Sequence, residues 1–122
     1  MIKLDHLTIA VRDYRVSRDW YTSTLGLKLE FEVTERAAAV QDDSGFTLFL
    51  EQTNGQMVAP CCVLYFQVDD VEVKYQQLAA ANTQFVHPPQ KQFWGYGAEL
   101  CDPDGYRLRL WDEQSMREKG RA

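Results

Sequence analysis

His6, Glu51 and Arg109 are the side chains of this chain best suited to chemistry, and each sits in an alternating segment that sets which way it points. An imidazole takes or gives a proton near neutral pH, or binds a metal through a lone pair. A carboxylate acts as base or ligand, and a guanidinium reads carboxylates and other acceptors through a planar fork of donors. Strand alternation puts His6, Thr8, Thr47, Phe49, Glu51, Val63, Tyr65, Gln67, Arg107, Arg109 and Trp111 on one face of their segments. That set mixes polar with aromatic residues, as small-molecule sites do. The opposite set, Leu7, Ile9, Val11, Leu48, Leu50, Leu64, Phe66, Val68, Leu108 and Leu110, is expected to be core under the helices, against Val16, Trp20, Tyr75 and Leu78.

The elements that position these residues form a long internal repeat. Leu4 to Asp13 alternates and ends in an acidic residue suited to capping a helix, and Cys62 to Asp70 does the same. A helical pattern follows each: Val16, Trp20 and Tyr21 after Asp13, and Val71, Tyr75 and Leu78 after Asp70. Gly26 closes the first helix before a strand over Lys28 to Val33, whereas Ala81-Asn82-Thr83 leads into Gln84-Phe85-Val86. Each half ends in a Gly turn feeding a strand, Asp43-Ser44-Gly45 into Phe46 to Glu51 and Pro103-Asp104-Gly105 into Tyr106 to Trp111. Val11 and Val68 are 57 apart and Gly45 and Gly105 are 60 apart, so the halves differ by a small insertion. The reading is an α+β domain over residues 1–122 made of two tandem β-α-β-β-β modules, about 1–57 and 58–113, with a polar tail over 114–122 that frays or forms a short helix. About 60 residues with one helix bury too little surface to stand alone, so the modules should pack with each other or with a second chain.

Composition narrows the partners. The 122 residues carry 13 Lys and Arg against 18 Asp and Glu, a formal charge of −5, with 45% hydrophobic and 25% charged residues. Such a chain builds a core, and its acidity opposes nucleic acid or an anionic membrane surface as partner while favouring a cationic or neutral ligand. No apolar run approaches a membrane span or a signal-peptide core, which suggests a cytoplasmic protein. Cys61 and Cys62 are adjacent and Cys101 stands apart, a pattern of reduced, buried thiols rather than of a disulfide scaffold.

Leu4-Asp5-His6-Leu7-Thr8-Ile9-Ala10-Val11, the helix end Trp20-Tyr21…Leu25-Gly26-Leu27, and Trp94-Gly95…Asp102-Pro103-Asp104-Gly105-Tyr106, in this order, resemble the vicinal oxygen chelate superfamily. That superfamily gathers glyoxalase I, extradiol dioxygenases, fosfomycin-inactivating enzymes and bleomycin-resistance binding proteins. The resemblance runs to about residue 112 and implies that each module curls into half of a cup around a ligand. It also implies four inward positions for a divalent metal, which here are His6, Phe49, Val63 and Arg109. One imidazole among Phe, Val and Arg departs from the three or so protein ligands that a catalytic divalent site needs. Glu51, two residues past Phe49 and on the same face, is the nearest rescue, with Gln67 or Tyr65 beside it.

The readings that follow are a metal-free binder and an enzyme. In the first, which resembles the antibiotic-sequestering proteins, a planar or cationic molecule stacks on Phe49, Tyr65, Trp94, Tyr96 and Trp111 while Glu51 and Arg109 read its polar groups. Trp94 and Tyr96, beside Gly95 and Gly97, are expected in the loop before the seventh strand, where glycine lets the chain approach a ligand or move as a lid. In the second, a lyase/glyoxalase-type or dioxygenase-type enzyme uses His6 and Glu51 as a reduced metal site or as metal-free acid and base. No cofactor beyond such a metal is expected. Plainer roles stand beside both: His6 as a hydrogen-bonded structural residue, Glu51 and Arg109 as an ion pair closing the cup, and Trp111, Phe49 and Tyr65 as filling or as a homodimer interface. His87, in Phe85-Val86-His87-Pro88-Pro89, reads as a surface loop residue.

Overall fold

The computed structural model describes residues 1–55 and 62–121, and Cys61 lies outside them. The chain divides into two compact units, Met1–Ala59 and Pro60–Ala122, each with one four-stranded mixed sheet.

The first unit runs β1 (His6–Val11), α1 (Tyr14–Asp19), a wider helical turn over Trp20–Thr24, β2 (Lys28–Val33), β3 (Ala37–Gln41) and β4 (Thr47–Gln52). Its sheet order is β1-β4-β3-β2, with β1 parallel to β4 and the other neighbours antiparallel. The Asp13 carboxylate accepts from the amides of Arg15 and Val16, so α1 begins where the acidic cap stands. The helix buries Tyr14, Ser17 and Tyr21, and Val16, expected against the core, is 52% exposed. The reason lies in the phase: Tyr14 directly after the cap takes the inward direction, three and seven residues before Ser17 and Tyr21, and Val16 sits off that line. The wider turn ends with the Leu25 amide donating to the Trp20 carbonyl, and Gly26 at φ +93° turns the chain into β2.

The second unit repeats the plan with β5 (Val63–Gln67), α2 (Val71–Ala80), β6 (Phe85–Gln92), β7 (Gly95–Cys101) and β8 (Arg107–Trp111), in sheet order β5-β8-β7-β6, then adds α3 (Glu113–Lys119). Asp70 caps α2 through the Val73 amide, and α2 buries Val71 and Leu78 with Tyr75 edge-on to Phe85 at 4.7 Å. The turns before β4 and β8 are built alike. Asp42 accepts from the amides of Ser44 and Phe46, and Asp102 from those of Asp104 and Tyr106, so each carboxylate organises its own glycine turn.

Two expectations change and one alternative is decided. His87 is not in a loop: β6 continues through His87, Pro88 and Pro89 to Gln92, because β6 is an edge strand and its register shifts there, and both conditions tolerate residues that cannot donate. Gly95, Tyr96 and Gly97 likewise belong to strand β7, so that the turn before it is Phe93 and Trp94. The tail takes the helical alternative, α3, which Asp112 caps by accepting from Ser115 while also accepting from the Val71 amide at the start of α2. Of the expected core, Ile9, Val11, Leu48, Leu50, Leu108 and Leu110 are buried, Leu64, Phe66 and Val68 are half-buried, and Leu7 is 39% exposed.

Candidate functional site

Equivalent rows cross the two sheets on the faces away from their helices. In the first, strand pairing sets Thr8 beside Phe49, Phe49 beside Ala39, and Ala39 beside Phe31, with the two rings 6.0 Å apart. In the second, Tyr65 lies beside Arg109, Arg109 beside Glu99, and Glu99 beside His87. The 60-residue offset that matches Gly45 to Gly105 also matches Phe49 to Arg109 and Ala39 to Glu99. An apolar row in one unit is therefore an ionic row in the other.

Glu99 holds the second row together. It is 6% exposed and accepts from Arg109 Nε at 2.8 Å and from Arg107 Nη1 at 2.7 Å. Burial pushes its carboxyl up, but the hydrogen bonds from Arg109 and Arg107 outweigh that and hold it below the usual carboxylate range. Arg109, 15% exposed, also donates to the Tyr65 hydroxyl. Its guanidinium carbon lies 5.3 Å from the ring centres of Tyr65 and Trp94 and 5.4 Å from that of Phe93, within cation–π range of all of them. Tyr65 and Trp94 meet edge-on at 5.7 Å. Within its own sheet the ionic partner of Arg109 is Glu99, a pairing set by β7–β8 register, which sequence reading did not reach. Its signal was Glu99 between Ala98 and Leu100 in an otherwise apolar strand, a position that a carboxylate occupies only with partners.

Beside this cluster a cleft of about 470 Å³ is lined by Phe93, Trp94, Gly95, Trp111, Glu113, Met116, Arg117, Gly120 and Arg121. Gly95, at φ +132°, permits the turn to press on α3: a Cβ there would stand 2.2 Å from Met116 Sδ. The Tyr96 amide donates to that sulfur at 3.4 Å, and Lys91 Nζ donates to the Arg121 carbonyl. Tyr96 itself turns to the other face of β7, where its hydroxyl donates to Glu72 of α2 at 2.7 Å. That bond, with burial, pushes its pKa up to about 12. Trp94, Tyr65, Arg109 and Trp111 are therefore on one face of the second unit, and Tyr96 is not with them.

His6 and Glu51 do not come together in the first sheet. His6 is opposite Thr47, and Glu51 lies four residues further along β4, an offset of roughly 13 Å at ~3.3 Å per residue. His6 Nδ1 is instead 2.8 Å from Asp5 Oδ1 at an exposed position. Among the described residues no three His, Cys, Asp or Glu side chains converge as a metal site would require. The four positions that the resemblance implies for a metal, His6, Phe49, Val63 and Arg109, offer a single lone-pair donor among them, and Arg109 is bound by Glu99. Cys62 and Cys101 are half-buried rather than buried. No helix among the described residues is long and apolar enough to cross a membrane.

The family model described as "Glyoxalase/Bleomycin resistance protein/Dioxygenase superfamily" matches residues 3–110. An uncharacterized protein of Shewanella frigidimarina is 25% identical over 93% of each chain. Among solved structures, a glyoxalase/bleomycin resistance protein/dioxygenase from Nocardioides is similar with a TM-score of 0.77 at 16% identity, covering 92% of this chain and 83% of that one. A lactoylglutathione lyase from Agrobacterium tumefaciens is similar with a TM-score of 0.75 at 13% identity, covering 92% and 94%. At these identities the likeness is one of fold.

Proposed function

From the membership of this chain in the glyoxalase/bleomycin resistance protein/dioxygenase superfamily, we propose that it captures a small planar molecule without a metal, as an antibiotic-sequestering protein would. The observation that carries the reading is Arg109, which stands at a ligand position of the family yet is bound by Glu99 and ringed by Tyr65, Phe93 and Trp94. A guanidinium so placed repels a dication, whereas aromatic walls around a fixed donor suit a flat ligand with an acceptor on its edge. The enzyme reading lacks comparable support, because His6 and Glu51 lie on different rungs of the first sheet. The same reading includes a second copy of the chain as partner: edge strand β2 leaves Leu29, Phe31 and Val33 exposed by 46%, 47% and 43%.

The test is a thermal-shift screen of planar aromatic antibiotics and simpler planar acids, amines and alcohols, with and without chelator. Stabilisation by a planar subset, unchanged by chelator and reduced at least tenfold in affinity by Arg109→Ala, is the expected result. A screen without a planar binder, or a binder that requires a divalent ion, overturns the proposal.

A further inference from the structure

Phe93 poses a question that the fold does not answer. It is 90% exposed at the tip of the turn between β6 and β7, although its ring lies 5.4 Å from the Arg109 guanidinium. A large aromatic ring left in water forgoes about 1.5–3 kcal/mol of burial. The turn that carries it borders the cleft of about 470 Å³, whose opposite walls are Trp111 and α3. It is an open groove rather than an enclosed cavity, with a volume inside the range of roughly 300–1,000 Å³ typical of small-molecule sites. The walls from Phe93, Trp94 and Trp111 are flat and apolar.

The charges on the cleft run against those of the whole chain. The chain carries −5, but among the described residues that line the cleft Arg117 and Arg121 stand against Glu113. Arg109, against the rings of Phe93 and Trp94, shares with Arg107 the single carboxylate of Glu99 among the described residues. Each group leaves one unbalanced guanidinium. At physiological ionic strength charges more than about 8 Å away are largely screened, so a molecule in the cleft feels these near cations more than the distant acidic surface.

We infer that this cleft binds a planar aromatic anion, its ring against Phe93, Trp94 and Trp111 and its acidic group toward Arg117 and Arg121. The inference rests on the capture reading above and names the ligand class within it, reversing the cationic preference that net charge alone suggests. Arg117 and Arg121 are exposed, so replacing them tests the assignment without disturbing a core.

Three probes of one shape separate charge from stacking: 2-naphthoate, 2-naphthalenemethanol and 2-naphthylmethylammonium, titrated by quenching of tryptophan fluorescence. The expected result is 2-naphthoate tightest, by roughly tenfold over the ammonium, a modest factor because exposed ion pairs contribute little each. The Arg117→Gln/Arg121→Gln double variant should shrink that advantage to under threefold with its thermal midpoint unchanged, and Phe93→Ala should weaken all three probes. Equal affinity for the probes, preference for the ammonium, or an undiminished naphthoate advantage in the double variant overturns the anion assignment and leaves capture of planar molecules standing. If none of the probes binds while other planar molecules stabilise the chain, the assignment also falls. If no planar molecule of any charge binds, both readings fall together.

Discussion

A carboxylate that is 6% exposed persists only where its charge is compensated, and Glu99 has Arg107 and Arg109 within 2.8 Å. The bond to Arg109 dominates, since Arg107 is half-exposed and screened while Arg109 is not. Glu99→Gln keeps the shape but leaves Arg109 uncompensated, and should cost about 2 kcal/mol in urea unfolding, the scale of a hydrogen bond to a charged group. The pH dependence follows the same pair. The folded pKa of Glu99 is lowered, so its contribution is fully present above the unfolded value, about 4.3. It is lost as pH falls from there through the folded pKa. Stability measured between pH 5 and pH 2 should therefore fall less steeply for Glu99→Gln than for the parent chain. Equal slopes would mean that the pair does not couple to folding.

At the scale of elements, one residue joins two helices. Asp112 accepts from Val71 at the start of α2 at 2.7 Å and from Ser115 in α3 at 2.6 Å, so the end of β8 ties both helices to the second sheet. Burial pushes the Asp112 carboxyl up, but the amides of Ser115 and Val71 bring it below its usual range. Because α3 buries none of its residues, this cap and the Met116 contact carry much of its attachment. Asp112→Ala should lower stability by about 1–2 kcal/mol, the upper range for a lost cap. It should also raise amide exchange in α3 and at Val71 together, and exchange that rises in α3 alone would contradict the shared role. Both helix starts after Asp13 and Asp70 were legible because capping is local chemistry: the carboxylate and the amides it binds are two or three residues apart. The length of β6 was not, since whether Pro88 and Pro89 interrupt a strand depends on its having a free edge.

For the whole molecule, the duplicated plan decides what each half can offer. The offsets of 57 and 60 residues place Phe49 and Arg109 at equivalent points of two like sheets, so one unit presents an aromatic row and the other an ionic one. The first unit also leaves an edge strand with three exposed apolar side chains, Leu29, Phe31 and Val33. If a second copy covers it, light scattering should return about twice the 14.1 kDa chain mass, and Phe31→Glu should shift the species toward monomer. A monomeric parent chain would rule out that partner.

What could be read from residue order is what short-range physics governs: alternation, caps, glycine turns and the repeat that contains them, and through these the β-α-β-β-β plan and the face on which Arg109 lies. Residue type alone also says that of His6, Phe49, Val63 and Arg109 only the imidazole has a lone pair to give. Strand register, in contrast, joins residues ten or more positions apart and is decided by packing and pairing across the sheet. Only that register puts Glu99 against Arg109, separates His6 from Glu51 by four residues and turns Tyr96 to the helix side. The same tertiary packing folds α3 beside Trp111 to form the cleft.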